Sequence, residues 1–184
     1  IRERWLDAEY NAQYALARVM SFEYLGDALP NAWPNLGPEL FSAYLGCELE
    51  YTETTSWAKP CLNDWQETDK ITFSPDNFYW QKTRELTEAL LAVGRQKFYT
   101  ALTDLHPGGD ALAGLREPQR LSIDLVERPG EVKALLKRVT DIYLQLCDRL
   151  FDLLTAAGQP VGCNAFNIIS TKRWNMACND FSFL

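Results

Sequence analysis

The sequence predicts an α/β protein in which helices alternate with parallel strands, and three observations lead to that class. Helical and strand-like segments alternate through the second half of the chain, an order typical of parallel sheets. Strand-like runs over 98–103 and 161–169 flank a long amphipathic helix, and such crossovers join parallel neighbours. Two parallel strands cannot bury both faces of a sheet. The sequence therefore also predicts an incomplete fold, a piece of a larger one.

Helices and a hairpin are predicted for the first half of the chain. Apolar residues at three- and four-residue steps indicate a helix over 3–21. Three prolines and two asparagines predict an irregular loop over 29–38, and a short helix follows over 39–45. Two extended pieces at hairpin distance come next, over 48–52 and 56–60.

Four helices and two strands are predicted for the second half. The helices cover 78–93, 110–116, 118–127 and 130–157. The last of them carries a regular apolar stripe, which indicates a packing face, with a leucine zipper as the alternative. We expect the strands 98–103 and 161–168 to lie side by side and parallel in one sheet, with this helix packed outside as the crossover.

Composition limits the function classes. The net charge of −7 argues against nucleic acid as a partner, since phosphates need a positive face. The sequence shows neither an apolar window of membrane-spanning length nor a signal peptide, so we predict a cytoplasmic protein. Five widely spaced cysteines, an odd number, favour reduced thiols over a disulfide framework. We predict a single domain over residues 1–184.

The junction after the predicted strand 98–103 is the most informative segment. An apolar run ends in Asp104 and His106, breaks at a Pro-Gly-Gly turn, and restarts as a helix near Asp110. Sites in α/β proteins lie at the carboxyl ends of strands. Asp104 and His106 are two residues apart, so on a continuing strand they share a face and form a candidate acid/base pair. A solvated pair at the rim, with Asp110 as a helix cap, is the simpler alternative.

Several segments along the chain form a recognisable order. They are Leu36-Gly37-Pro38-Glu39-Leu40, Phe98 to Asp110, Leu115-Arg116-Glu117-Pro118, Arg128-Pro129-Gly130-Glu131-Val132 and Cys178-Asn179-Asp180-Phe181-Ser182. In this order they resemble the uroporphyrinogen decarboxylase-like superfamily, which includes corrinoid-dependent methyltransferases. The similarity covers nearly the whole chain, and its most specific part is the Leu-Arg-x-Pro motif followed by Arg-Pro-x-x-Val before the long helix.

The resemblance implies a (β/α)8 barrel, of which this chain is about the N-terminal half, with a small molecule bound at the carboxyl ends of the strands. It implies methyl transfer or decarboxylation. The Arg-rich and Phe-Ser-Asp motifs of authentic uroporphyrinogen decarboxylases are absent, which argues against that reaction. By position, the catalytic residues are Asp104 and His106, and the substrate-binding residues are Asn31, Trp33, Asn35, Trp57, Asn164 and Asp180.

Cofactors and partners follow from the same resemblance. Methyltransferases of this type bind zinc through a His-x-Cys pair and a later Cys, but His106 is followed by Pro107 and Gly108. We therefore predict no metal ligands in this sequence. A zinc or corrinoid site is expected only with residues beyond Leu184. The expected partners are a small-molecule ligand, a corrinoid protein, and a second copy of the chain, because an incomplete barrel leaves an apolar sheet edge.

Two other classes of function stay open from the residues. Asp104 and Asp180 suit a glycoside hydrolase if their carboxylates lie roughly 5–10 Å apart, and exposed tryptophans then serve as sugar platforms. A non-catalytic binding or assembly module, with the helix 130–157 as its contact element, is the third class.

Overall fold

The computed structural model describes residues 1–159, 162–163 and 168–173. Helices dominate this part of the chain. The helices are α1 (Arg2–Leu6), α2 (Ala8–Met20), α3 (Leu40–Tyr44), α4 (Phe78–Gly94), α5 (Gly109–Arg116), α6 (Pro118–Glu127) and α7 (Pro129–Ala156), with a 3-10 helix at Trp65–Lys70. The strands are β1 (Asn31–Ala32), β2 (Glu48–Tyr51), β3 (Ser56–Lys59), β4 (Tyr99–Thr100), β5 (Gly162–Cys163) and β6 (Ile169–Ser170).

These residues divide into two compact units. The first contains Ile1–Leu36, Trp80–Asp104 and the described residues from Cys147 onward. The second contains Gly37–Tyr79 and Leu105–Leu146. Each unit has buried apolar residues of its own and is described separately below.

The predicted incomplete (β/α)8 barrel is wrong. The described strands form three ladders of two strands each: β1 with β4 in parallel, β2 with β3 in antiparallel, and β5 with β6 in antiparallel. The predicted strand 98–103 shortens to β4, which pairs with β1. The predicted strand 161–168 contributes only β5 to the described residues, in a separate ladder. No long open sheet edge is present among the strands that the structure describes.

The parallel pair in the first unit lies where the sequence predicts an irregular loop. The amide of Tyr99 donates to the carbonyl of Pro30 at 2.9 Å, and the amide of Ala101 donates to the carbonyl of Ala32 at 2.7 Å. Prolines at positions 30 and 34 bracket β1 and limit it to two residues, because proline cannot donate to a ladder.

A glutamine side chain lies along the other edge of β4. The amide of Thr100 donates to Oε1 of Gln159 at 2.9 Å, and Nε2 of Gln159 donates to the carbonyl of Thr100 at 2.8 Å. One side-chain amide thus satisfies both outward backbone groups of this residue. It makes the bonds that a second parallel neighbour was expected to make.

The predicted helix 3–21 is two helices, α1 and α2, divided at Asp7. Asp7 has extended backbone angles, and its Oδ1 accepts from the amide of Tyr10 at 2.9 Å, so it caps α2. Nδ2 of Asn11 donates to the carbonyl of Arg4 at 2.8 Å, which satisfies a carbonyl at the end of α1. The apolar periodicity continues across this break, so it does not reveal it.

The core of the first unit lies between α2, α4 and the β1–β4 pair. Its buried members are Ala12, Val19, Ala32, Leu90 and Phe98. Phe98 packs on the end of α4, where a Cβ added at Gly94 lies 2.6 Å from the Phe98 ring. Glycine at this position therefore lets the strand approach the helix.

In the second unit, the predicted hairpin and the predicted helices 110–116 and 118–127 are confirmed. Strands β2 and β3 pair from Glu48 with Lys59 to Tyr51 with Ser56. Helices α3 and α5 pack closely, since a Cβ added at Gly114 lies 2.4 Å from the hydroxyl of Ser42. The largest fully buried side chains of this unit are Leu40, Phe41, Tyr44, Leu45, Leu62, Leu105, Leu112, Leu115, Leu121 and Leu146.

The long helix α7 confirms the predicted 130–157 segment as a packing helix. Val132, Leu135, Val139, Leu146 and Leu150 along its stripe are buried. Its other faces carry charged residues. Among the residues that the structure describes, no helix combines the length and the apolar character needed to cross a bilayer.

Candidate functional site

The first unit brings two predicted site segments together. Because β1 and β4 are parallel, the residues that follow each strand continue side by side. The hydroxyl of Thr103 donates to the carbonyl of Pro34 at 2.7 Å and joins the two segments. The predicted site residues in this unit are Asn31 within β1, the half-buried Trp33, the exposed Asn35 and the half-buried Asp104.

The second unit contains the other two described candidates. Trp57 lies in β3 opposite Glu50, and its side chain is largely exposed. Nδ1 of His106 lies 3.7 Å from Oδ2 of Asp110, and the two side chains are only 22% and 15% exposed. The structure therefore pairs His106 with Asp110, whereas the sequence pairs it with Asp104.

The local chain explains this pairing. Strand β4 ends at Thr100, so Asp104 and His106 do not lie on a continuing strand. Gly108 has a φ of +69° and precedes the first residue of α5, and glycine adopts this conformation at little cost. Asp110 lies in the first turn of α5 without capping it; its carboxylate faces His106 instead.

This arrangement suits proton transfer. Histidine is the side chain whose charge changes near neutral pH. A carboxylate beside the imidazole orients the ring and stabilises its protonated form. Asp110 is also placed favourably, because a negative charge in the first turn of a helix interacts with the positive end of the helix dipole. The structure therefore places an imidazole and a carboxylate side by side, as proton transfer requires.

The Leu-Arg-x-Pro motif forms the opposite end of α5. Nε of Arg116 donates to Oδ2 of Asp124 at 2.7 Å, and both side chains are nearly buried. Nη1 of Arg116 donates to the carbonyl of Leu62 at 3.1 Å and to that of Asn63 at 2.5 Å. The guanidinium also lies 5.4 Å from the ring centroid of Trp65, within the range of a cation–π contact. Arg116 thus joins α5, α6 and the 62–65 segment.

The charges around Asp124 keep it ionised. Burial alone raises the pKa of this carboxyl, but the hydrogen bond and the charge of Arg116, together with the charge of Arg128, outweigh that effect. The pKa of Asp124 therefore lies below its usual value. Its two oxygens lie 2.7 Å from Nε of Arg116 and 3.9 Å from Nε of Arg128. This cluster has a structural role, and it explains the sequence motif without a ligand.

Two predicted site residues, Asn164 and Asp180, lie outside the described residues. The glycoside hydrolase alternative depends on the distance between Asp104 and Asp180, so it stays a prediction. The substrate-binding roles of Asn164 and Asp180 stay predictions, as does the role of α7 in an assembly module.

Sequence reasoning missed two features of the second unit. One is Asp110 as the partner of His106, which its four-residue spacing into a helix start could have indicated. The other is a contact between Cys47 and Cys61, whose thiols lie 3.1 Å apart. The predicted hairpin could have indicated this contact, because both residues flank the same end of it. Within the described ranges, no group of three or more His, Cys, Asp or Glu side chains is suited to a metal ion.

No model of a known protein family matches this sequence, and a search of curated proteins gives no match.

Proposed function

We propose that this chain is part of a small-molecule enzyme related to the uroporphyrinogen decarboxylase-like proteins, and that His106 and Asp110 manage the proton in its reaction. The supporting observation is their contact, with Nδ1 of His106 and Oδ2 of Asp110 3.7 Å apart and both side chains mostly buried. Both residues belong to the second unit, His106 just before α5 and Asp110 in its first turn.

Both reactions implied by the resemblance need a proton. Loss of carbon dioxide leaves a carbanion-like carbon that must be protonated. Methyl transfer is easier when the atom that gives up the methyl group becomes protonated. A positioned imidazolium can supply the proton in either case. The carboxylate of Asp110 stabilises the charged form of the imidazole until the transfer.

No step is assigned to zinc, because the described residues do not fit it. A zinc site needs three or four closely placed ligands, and His106 is followed by Pro107 and Gly108 in place of the expected cysteine spacing. The described ranges hold no group of three suitable side chains. A corrinoid, if it takes part, would accept the methyl group, and this chain would protonate the leaving atom.

The test is turnover of defined probes by the purified chain. Methyl transfer is measured from methoxyaromatic, methylamine and methylthioether compounds to cob(I)alamin, and decarboxylation is measured as carbon dioxide released from aromatic and pyrrole carboxylic acids. We expect activity with one class. His106→Gln should lower kcat about 10²–10⁴-fold, with a smaller loss in Asp110→Asn.

Asp141→Asn is the matched control. Lys137 and Asp141 form an ion pair with the same four-residue spacing on the exposed face of α7, with Nζ and Oδ2 2.8 Å apart. This variant should keep full activity. Unchanged kcat in His106→Gln, or no turnover of either probe class by the wild-type chain, would contradict the proposal.

A further inference from the structure

Two cysteines meet at one end of the β2–β3 hairpin. The ladder ends with the pair Glu48 and Lys59; Cys47 directly precedes the first of these and Cys61 follows the second by two residues. Their Sγ atoms lie 3.1 Å apart, and both are free thiols. The hairpin register therefore holds two sulfur atoms within reach of a covalent bond with little change in the backbone.

The C-terminal end of α5 fixes both cysteines from the other side. The amide of Cys61 donates to the carbonyl of Leu115 at 3.0 Å. The thiol of Cys47 lies 3.6 Å from the carbonyl of Gly114. These contacts use backbone groups of one short helix, so the position of the pair does not depend on flexible side chains.

The two thiols differ in exposure. Cys47 is only 1% exposed, on the same buried face of the hairpin as Leu49. Cys61 is partly exposed. A reagent in solution therefore reaches Cys61 first, with Cys47 directly behind it.

We propose that Cys47 and Cys61 are a redox-active dithiol that closes to a disulfide by exchange with a low-molecular-weight disulfide such as glutathione disulfide, with Cys61 as the attacking residue and Cys47 as the resolving one. This inference is independent of the proposed enzyme activity, since it uses none of the residues assigned to that site.

The thiol chemistry supports this order. The hydrogen bond from the Cys47 thiol lowers the pKa of Cys61 and outweighs the opposing effect of burial. The same contact and its burial raise the pKa of Cys47. The thiolate is the nucleophile in exchange, so Cys61 reacts first and Cys47 keeps its proton until the second step.

The exchange balances in two steps. The thiolate of Cys61 attacks one sulfur of glutathione disulfide, the disulfide bond of that molecule breaks, and one glutathione leaves and takes up a proton. Cys47 then loses its proton and attacks the sulfur of Cys61, and the second glutathione leaves. The protein is oxidised by two electrons, and one glutathione disulfide is reduced to two glutathione molecules.

The first test is peptide mapping of the wild-type chain after equilibration with glutathione disulfide. Glu48, Glu50 and Glu53 lie between the two cysteines, so a protease that cleaves after glutamate places them on separate peptides. We expect these two peptides to be recovered as one disulfide-linked species that separates on reduction. Recovery of both as free thiols, or of Cys61 linked to a different cysteine, overturns the proposal.

The second test assigns the roles. Cys47→Ala should trap one glutathionyl group on Cys61, because the resolving thiol is missing, whereas Cys61→Ala should leave Cys47 unmodified because it is buried. Cys147→Ser, the control, should leave the linked peptide unchanged. Equal glutathionylation of Cys47 and Cys61 in the two alanine variants overturns the assigned order.

Discussion

Asp124→Asn tests the buried charge cluster at the α5–α6 junction. The side chains of Asp124 and Arg116 are 6% and 12% exposed, so removing the negative charge leaves a nearly buried guanidinium without its counter-ion. Breaking such a pair from one side costs about 3–5 kcal/mol. Arg116 keeps the carbonyls of Leu62 and Asn63, which places the expected loss at the lower end, about 3 kcal/mol.

This loss corresponds to a fall in Tm of roughly 6–12 °C for a chain of this size. It is measured by urea unfolding and by thermal circular dichroism at pH 7. The exposed pair of Lys137 and Asp141 provides the control, and Asp141→Asn should change the free energy of unfolding by less than about 1 kcal/mol. A double variant, Arg116→Met with Asp124→Leu, should recover much of the stability, because no charge is then left buried.

The loss of stability in Asp124→Asn also depends on pH in a defined direction. The pKa of Asp124 is lower in the folded chain than its usual value. The contribution of the ionised Asp124 to the free energy of unfolding is therefore complete above the unfolded-state pKa. It is lost as the pH falls through the folded-state pKa. The difference between wild type and Asp124→Asn should be largest at neutral pH and shrink below roughly pH 4. A loss equal to that of Asp141→Asn, or one that grows on acidification, would refute the reasoning.

Two further perturbations test the packing of each unit. Gly37→Ala should lower the free energy of unfolding by about 2–4 kcal/mol in urea titrations. Gly37 has a φ of +103°, and an added Cβ lies 1.8 Å from the hydroxyl of Ser56. A loss of free energy smaller than that of the Asp141→Asn control would contradict this close approach. Gln159→Ala should cost about 2 kcal/mol, roughly 1 for each lost hydrogen bond, and should speed hydrogen exchange at the amide of Thr100. An unchanged exchange rate at this amide would show that its hydrogen bond to Gln159 does not slow exchange.

The helices could be predicted from the sequence because their signals are local. Prolines at positions 118 and 129 stand at the first residue of α6 and of α7, and the apolar spacing between them needs no knowledge of distant residues. The exception is the predicted N-terminal helix. The carboxylate of Asp7 caps α2, so the helix is divided there although the apolar periodicity continues across the break. Capping there competes with periodicity, and periodicity alone does not show which prevails.

Strand partners could not be predicted in the same way. The run 98–103 has the composition of a buried strand, but its partner at Asn31–Ala32 lies in a segment that reads as a loop. The site shows the same limit. His106 could be singled out as a proton carrier, whereas pairing it with Asp104 assumed a strand longer than the two residues of β4. The contact between the cysteines depends on the register of the hairpin, and neither the composition nor the number of cysteines predicts that register.

The position of Gln159 has a consequence for how this chain can associate with others. An unpaired strand edge accepts an incoming strand from a second molecule, and this is a common route to dimers and to aggregates. At β4, one edge is paired with β1, and the carboxamide of Gln159 already binds the amide and carbonyl of Thr100 on the other. A strand from a second molecule would have to displace the side chain of Gln159, which belongs to the same chain as β4. The local concentration of that side chain is far higher than the concentration of the incoming strand. This edge is therefore closed to strand addition.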